Sequence, residues 1–334
     1  MRKEWLARIL IVVLLAAAVG IPALGWWRGS QGVLLHARMA ETGGWTPENL
    51  TVAVGQPLHL RLTSDDVTHS FAIGQSDQPS VDVHPGEITE VTLVFDKPGK
   101  YTFYCTRWCS LNHWRMRGVI EVTAPHGQES TPEAVDPPLY VRLGLDIDAQ
   151  HATDVLPAET PSAIRGKGQG QNIPAAYLTH EYYLTHSPAE FWHALRAEPA
   201  LQQLPDQGIW DLVAWVWQRN TTPQELAEGR QLYAINCAAC HGEQGQGNGV
   251  FADDLAQPAA DEHSGMAAGE MTTRPTDFTA ADHILAASPA HLQGKIIRGG
   301  MGTGMPYWGP IFTEEQTWAL VAYLWKFQFE MEEP

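Results

Sequence analysis

Residues 104–116 read YCTRWCSLNHWRM. Two thiols, Cys105 and Cys109, are followed at short intervals by the imidazole of His113 and the thioether of Met116. Thiolates and a thioether select copper, and imidazole suits it too. A mononuclear blue-copper loop needs one cysteine, so two suggest thiolates that bridge a pair of coppers. A second imidazole is then expected from a distant strand. His69, in TSDDVTHSFAI, is the candidate, because its segment precedes the loop by several strands and carries the same buried alternation. Zinc is the competing metal, but methionine is a poor zinc ligand.

Outward from this loop the pattern is that of strands. Val52 and Val54 alternate with polar residues, as do Leu58, Leu60 and Leu62, and again Val91, Leu93 and Phe95. Pro98–Gly99 supplies a turn, and Tyr101–Cys105 leads into the loop. Short strands with Gly/Pro punctuation predict a small β-sandwich over residues 31–124. Residues 125–175 are rich in Pro, Gly, Asp and Ser and read as a linker with little regular structure.

The chain has four cysteines, and the second pair falls in CAACH (Cys237, Cys240, His241), the attachment signal for a c-type haem. No cysteine remains for a disulfide. Helix starts are marked by Ser187–Pro188–Ala189–Glu190, by Thr222–Pro223–Gln224–Glu225 and by Thr313–Glu314–Glu315–Gln316. SPAEFWHAL followed by DQGIWDLVAWVWQ echoes SPAHLQGKI followed by EEQTWALVAYLWK. Only the second copy has CxxCH upstream, so residues 176–220 are a candidate haem-less, cytochrome-like helical region. Two unrelated Trp-rich amphipathic helices are the rival reading. The haem domain is placed at 221–334.

TSDDVTHSFAI, VDVHPGE and FDKPGKYTFYC with the loop resemble the CuA cupredoxin domain of haem–copper oxidase subunit II. They are similar, less closely, to the CuA domain of nitrous oxide reductase. The resemblance spans 49–122. It implies that Cys105 and Cys109 bridge two coppers, that His69 and His113 each bind one, and that Met116 is a weak ligand. It also implies that Arg107 donates its carbonyl. Subunit II often has an acid at that position to hold magnesium, which arginine cannot do. GRQLYAINCAACHGEQGQGNG, RPTDFT and IIRGGMGTGMPYW resemble class I cytochromes c over 222–329. That implies proximal His241 and a distal methionine, Met305 ahead of Pro306, with Met301 the rival. Gly229 and Tyr233, with Trp318 and Tyr323, would form the helix crossing that closes the domain. His59, His84, His180, His186, His193, His263, His283 and His291 show no ligand spacing and are expected to be surface or satisfied core residues.

At the amino end Arg2, Lys3 and Arg8 precede an uncharged run from Ile9 to Trp27. Its length suits one membrane crossing, giving an anchor over 1–30 with the rest outside; a signal peptide cleaved near Ala23–Leu24–Gly25 is the alternative. Covalent haem c needs the same exported compartment. Lys+Arg number 21 against 38 Asp+Glu, a formal charge of −17, which argues against nucleic acid and fits either a soluble acidic surface or docking of a basic partner. The expected fold is multidomain: a transmembrane helix, a β-sandwich cupredoxin domain and a carboxy-terminal all-α cytochrome c domain. The expected function is electron transfer through haem c and dinuclear copper to a membrane-embedded oxidase subunit I, from a soluble or membrane-bound donor. A membrane-tethered carrier feeding a nitrous or nitric oxide reductase is the alternative. Neither centre offers a substrate-converting site.

Overall fold

The computed structural model describes residues 5, 32–76, 78–110, 112–124, 136–149, 151–255, 274–300 and 304–332. The expected anchor over 1–30, apart from Trp5, and Met301 lie outside them. Among the described residues no helix is long and apolar enough to cross a membrane. The chain divides into a β unit, which takes in the described residues up to 124 apart from 74–76, and a helical unit, which takes in those three and the described residues from 136 onward.

The β unit is a two-sheet sandwich. Its strands are β1 (Val33–Ala37), β2 (Trp45–Thr46), β3 (Asn49–Ala53), β4 (Leu58–Ser64), β5 (His69–Ile73), β6 (Val81–Val83), β7 (Thr89–Leu93), β8 (Gly99–Tyr104) and β9 (Arg117–Thr123). One sheet has the order β2-β1-β4-β7 and the other β3-β9-β8-β5-β6. The period-2 pattern of β4 buries Leu58, Leu60 and Leu62 and turns His59 to solvent. Between the sheets Trp45 meets Phe71 and Phe103 edge-on, at 5.7 and 5.8 Å between centroids. β5 is buried along its whole length, so its first residue, His69, starts inside the protein.

The helical unit contains α1 (Leu139–Arg142), α2 (Ala163–Lys167), α3 (His180–Thr185), α4 (Pro188–Ala197), α5 (Asp206–Arg219), α6 (Pro223–Asn236), α7 (Ala238–His241), α8 (Ala252–Leu255), α9 (Ala281–Ile284), α10 (Pro289–Arg298) and α11 (Glu314–Leu324). The capping boxes at Ser187/Glu190, Thr222/Glu225 and Thr313/Gln316 all form. Each satisfies backbone N–H groups that a helix start leaves open, worth about 1 kcal/mol.

The expectation of little regular structure over 125–175 is corrected for its described residues, 136–149 and 151–175; the remainder lies outside the described residues. The described part contains α1, α2 and a 3-10 turn at Gly170–Asn172. These pieces are too short to show helical periodicity; tertiary contacts hold them. A Cβ on Gly166 of α2 would lie 2.0 Å from the Asp211 carbonyl oxygen of α5, so the two backbones touch. The Asp211 carboxylate accepts from the Ser162 backbone N–H at 2.8 Å and from Arg165 Nε at 2.8 Å.

The same crossing occurs again between α6 and α11. A Cβ on Gly229 would lie 2.0 Å from the Ala319 carbonyl oxygen. Asp211 and Ala319 hold the same place in the two copies of the repeat, each after tryptophan and before Leu-Val-Ala. Around Gly229 the nearest atoms belong to Ala319 and to the expected Tyr323. The expected Tyr233–Tyr323 contact forms, at 5.3 Å between ring centroids. The copies differ inside. Leu195, Leu212 and Val216 of the first are fully buried, and Tyr183, Phe191 and Trp217 pack together beside them. Trp217 also meets Trp325 at 6.0 Å.

Residues 139–149 and His151 pack against α10. Tyr140 covers Gly294, and Asp148 accepts from Lys295 Nζ at 3.2 Å and pairs with Arg298. At this contact His291 is buried, its Nε2 lacks a hydrogen-bond partner, and the His151 ring lies 4.3 Å away. Its sequence reading as a satisfied core residue is corrected to that extent. Burial, then His151 and Lys295, push the His291 pKa down to about 4, against the pull of Asp146 and Asp148. A depressed histidine pKa means that the fold favours the neutral ring. Its contribution is whole above the ordinary value near 6.5 and is lost as pH falls towards 4. We expect thermal melts to show a loss of about 2–3 kcal/mol over that window that His291→Leu removes. Equal pH slopes in the two proteins would rule it out.

Candidate metal centres

The first centre sits where β5, the end of β8 and the loop before β9 converge. Cys105 follows β8, His69 opens β5, His113 lies in a 3-10 turn (His113–Arg115), and Met116 precedes β9. The structure brings all six sequence-predicted residues to this end of the sandwich. Cys105 Sγ lies 4.0 Å from Cys109 Sγ, 3.9 Å from His69 Nδ1 and 3.3 Å from the Arg107 carbonyl oxygen. Cys109 Sγ is 3.6 Å from Met116 Sδ. His69, Cys105 and Cys109 form a cluster whose ligand atoms lie within 4.8 Å of one another.

His113 is 1% exposed; neither ring nitrogen has a partner at ordinary hydrogen-bond distance, and its imidazole acts on the Cys105 thiol from further off. A buried polar pair without close partners is costly unless something else uses it. The Trp108 ring, 4.2 Å away, covers this imidazole. The donor set fits soft-metal chemistry: two thiols, two imidazoles, one thioether and one carbonyl.

The electrostatics prepare one thiolate. The Cys105 thiol is pulled far below its usual range, first by the hydrogen bond with Cys109, then by His113 and His69, against burial. Cys109 is pushed up, because its proton is what Cys105 holds on to. Burial would lower the pKa of His69, but Cys105 and Asp66 outweigh it and the net shift is upward. Asp66 Oδ1 lies 2.7 Å from His69 Nε2, so with Nε2 as donor the Nδ1 atom faces the sulfurs. Sequence reading missed Asp66. The available signal was an acid three residues before His69.

The second centre is an apolar crevice in the helical unit. Tyr233, Cys237, His241, Phe278, Ile296, Met305, Trp308, Leu320 and Leu324 line it. Ile296, Leu320 and Leu324 are the repeat counterparts of Leu195, Leu212 and Val216, which in the first copy are sealed in the core. Cys237 caps α6, so Cys240 and His241 follow on the one-turn helix α7. The Thr276 carbonyl can only accept, so His241 Nδ1–H donates to it at 3.0 Å and Nε2 is left for a metal. Phe278 stacks on the ring at 4.5 Å. Burial pushes Cys237 to about 12 and Cys240 to about 11. Unlike Cys105, neither is held as a thiolate. Met305 reaches the same crevice from the loop after α10, so a thioether and an imidazole line one apolar crevice. Thr276 contributes only its backbone; it lies in RPTDFT, which the sequence singled out without a role for this residue.

The description "Cytochrome C oxidase subunit II, periplasmic domain" matches residues 39–123, and "Cytochrome c" matches 226–328. This chain joins a subunit II cupredoxin domain to a cytochrome c domain. The cupredoxin domain therefore implies copper, the cytochrome c domain implies haem, and both serve electron transfer. The cupredoxin domain is 35% identical over 79 residues to cytochrome c oxidase subunit 2 of Thermus thermophilus, covering 24% of this chain and 58% of that protein. It is 42% identical over 74 residues to nitrous-oxide reductase of Ralstonia nicotianae, covering 21% of this chain and 11% of that one. Among solved structures it is similar to the periplasmic domain of subunit II of cytochrome oxidase from Bradyrhizobium japonicum. That match has 26% identity and a TM-score of 0.22, over 23% of this chain and 54% of that one.

Proposed function

We propose that this chain is the electron-entry subunit of a haem–copper terminal oxidase. What supports the reading is that one chain carries both donor sets, a dithiol–diimidazole cluster and a Cys-Cys-His crevice with a facing methionine. When bound, dinuclear copper and covalent haem c would supply one-electron redox chemistry. In the cupredoxin domain Cys105 and Cys109 would be the shared thiolates and His69 and His113 the imidazoles that hold copper, with Met116 as a weak ligand, the Arg107 carbonyl completing the set and Asp66 fixing the His69 ring. In the cytochrome c domain Cys237 and Cys240 would hold haem through thioethers, with His241 as the proximal and Met305 as the distal ligand.

These sets leave no open position, so oxygen chemistry falls to a membrane-embedded partner, subunit I of the oxidase. The chain takes electrons from a soluble or membrane-bound donor at the cytochrome c domain and passes them to the cupredoxin domain. Both domains face the periplasmic side, with residues 1–30 as a single anchor, 31–124 the cupredoxin domain and 221–334 the cytochrome c domain. The helices before 221 are a second copy of the cytochrome frame without haem. Three features support this: the register-matched glycine crossings, the shared Ser-Pro-Ala helix start, and the aromatic packing where the other copy has its crevice.

The nitrous-oxide reductase likeness favours a second reading, a tethered carrier feeding a nitrous or nitric oxide reductase. Mild detergent purification of the tagged full chain separates the two. A haem a or haem b polypeptide that consumes oxygen should copurify. Isolation of the chain alone would sink the oxidase reading, and a copurifying nitrogen-oxide reductase would replace it with the second.

A further inference from the structure

The peptide between the two copper-loop cysteines is held from both sides by neighbouring residues of one strand pair. Ser70 of β5 and Asp82 of β6 are direct cross-strand partners. Two successive loop residues reach them. Thr106 N–H donates to Ser70 Oγ at 2.8 Å, and the two hydroxyls are 2.5 Å apart. Arg107 then places its guanidinium on Asp82, Nε to Oδ1 at 2.8 Å and Nη2 to Oδ2 at 2.6 Å.

This is a two-pronged pair, which fixes the orientation of the arginine as well as its position. The carbonyl of the same Arg107 lies 3.3 Å from Cys105 Sγ and accepts the Cys109 N–H at 2.8 Å. One residue therefore ties the Cys105 thiol to the Cys109 backbone through its own carbonyl and is anchored to the sheet through its side chain.

The pair contributes little to folding. Its side chains are 52% and 40% exposed, and such ion pairs are worth about 0–1 kcal/mol. What a rigid fork does at little energetic gain is fix geometry. Without it, the loop from Cys105 to Cys109 keeps its Ser70 tether but loses the one that orients the Arg107 peptide.

We propose that Asp82 is a positioning residue for the copper site, acting through the Arg107 guanidinium to set the Arg107 carbonyl against the two sulfurs. The inference rests on the copper reading above. It assigns a role to the arginine at 107 that its charge alone does not explain: the planar fork is what matters, so lysine cannot replace it.

The test uses the full chain in detergent, loaded with copper, as wild type, Asp82→Asn, Arg107→Lys and the exchanged pair Asp82→Arg/Arg107→Asp. Copper content, copper hyperfine pattern, reduction midpoint and copper release to a chelator are measured beside thermal melts. Asp82→Asn should keep the wild-type melting curve and copper content, and Arg107→Lys the melting curve. They should broaden the hyperfine pattern, shift the midpoint and release copper about tenfold faster. The exchanged pair should recover part of the wild-type spectrum.

A wild-type protein that binds no copper pair would defeat the copper reading and leave the clamp without a subject. Normal copper in the wild type, with an unchanged spectrum, midpoint and release rate in Asp82→Asn, would overturn the inference alone. A fall in melting temperature matching the spectral change would assign Asp82 to folding and also overturn it.

Discussion

Cys109→Ser should abolish the copper pair while leaving the cupredoxin domain folded. The sandwich core of Leu35, Leu60, Leu62, Phe71, Phe103 and Ile120 lies on the strands, and Cys109 packs against it only as a partly buried neighbour, in a space that serine also fills. The expected change in denaturation free energy of the apo domain is therefore under about 1 kcal/mol. Copper retention should fall more than about 100-fold, beyond the range typical for partners outside the ligand set. A serine hydroxyl does not ionise near neutral pH and cannot bridge.

Cys105→Ser should be at least as severe, because Cys105 is 2% exposed and is the sulfur on which His69, Cys109 and the Arg107 carbonyl converge. Metal analysis of the purified variants decides the matter. Two coppers per chain with an unchanged spectrum in Cys109→Ser would remove the bridging role.

Gly229→Val should unfold the cytochrome c domain, and Gly166→Val should do the same damage to the preceding copy. In each case even the first added carbon would lie 2.0 Å from a backbone carbonyl oxygen on the crossing helix. Backbone cannot rotate away as a side-chain end can. The helices must separate, which costs about 3 kcal/mol or more in a packed core. For Gly229 the separation also pulls Leu320 and Leu324 of α11 away from the crevice, so haem incorporation should drop with stability.

For Gly166 the loss should reach the haem-bearing copy through the Trp217–Trp325 and Trp217–Phe329 contacts. Denaturant titration with haem absorbance as one probe and tryptophan fluorescence as another measures both. A Gly166→Val protein with a wild-type haem transition would show that the two copies are energetically independent.

Much of both centres was legible in the chain, because their donors are close in sequence. Cys105, Cys109, His113 and Met116 share one loop, and Cys237, Cys240 and His241 span barely more than one helical turn. Local backbone geometry brings such residues together whatever the rest of the fold does. The helix starts were legible for the same reason: a capping box needs only four residues. The helices inside 125–175 were not, since α2 is five residues long and is held by Gly166 against α5 and by the Arg165–Asp211 pair, which no window of its own sequence contains.

Residue type and spacing narrowed which metals suit this protein, since donor softness is a property of side chains and spacing sets their reach. Sheet register and burial set the rest. They put Asp66 on the back of the His69 ring, set Ser70 and Asp82 side by side under the copper loop, and turned α10 and α11 inward to wall the crevice. They also closed the corresponding space in the first copy. Those outcomes rest on contacts between segments far apart in the chain, whose energy exists only once the strands have paired and the helices have crossed.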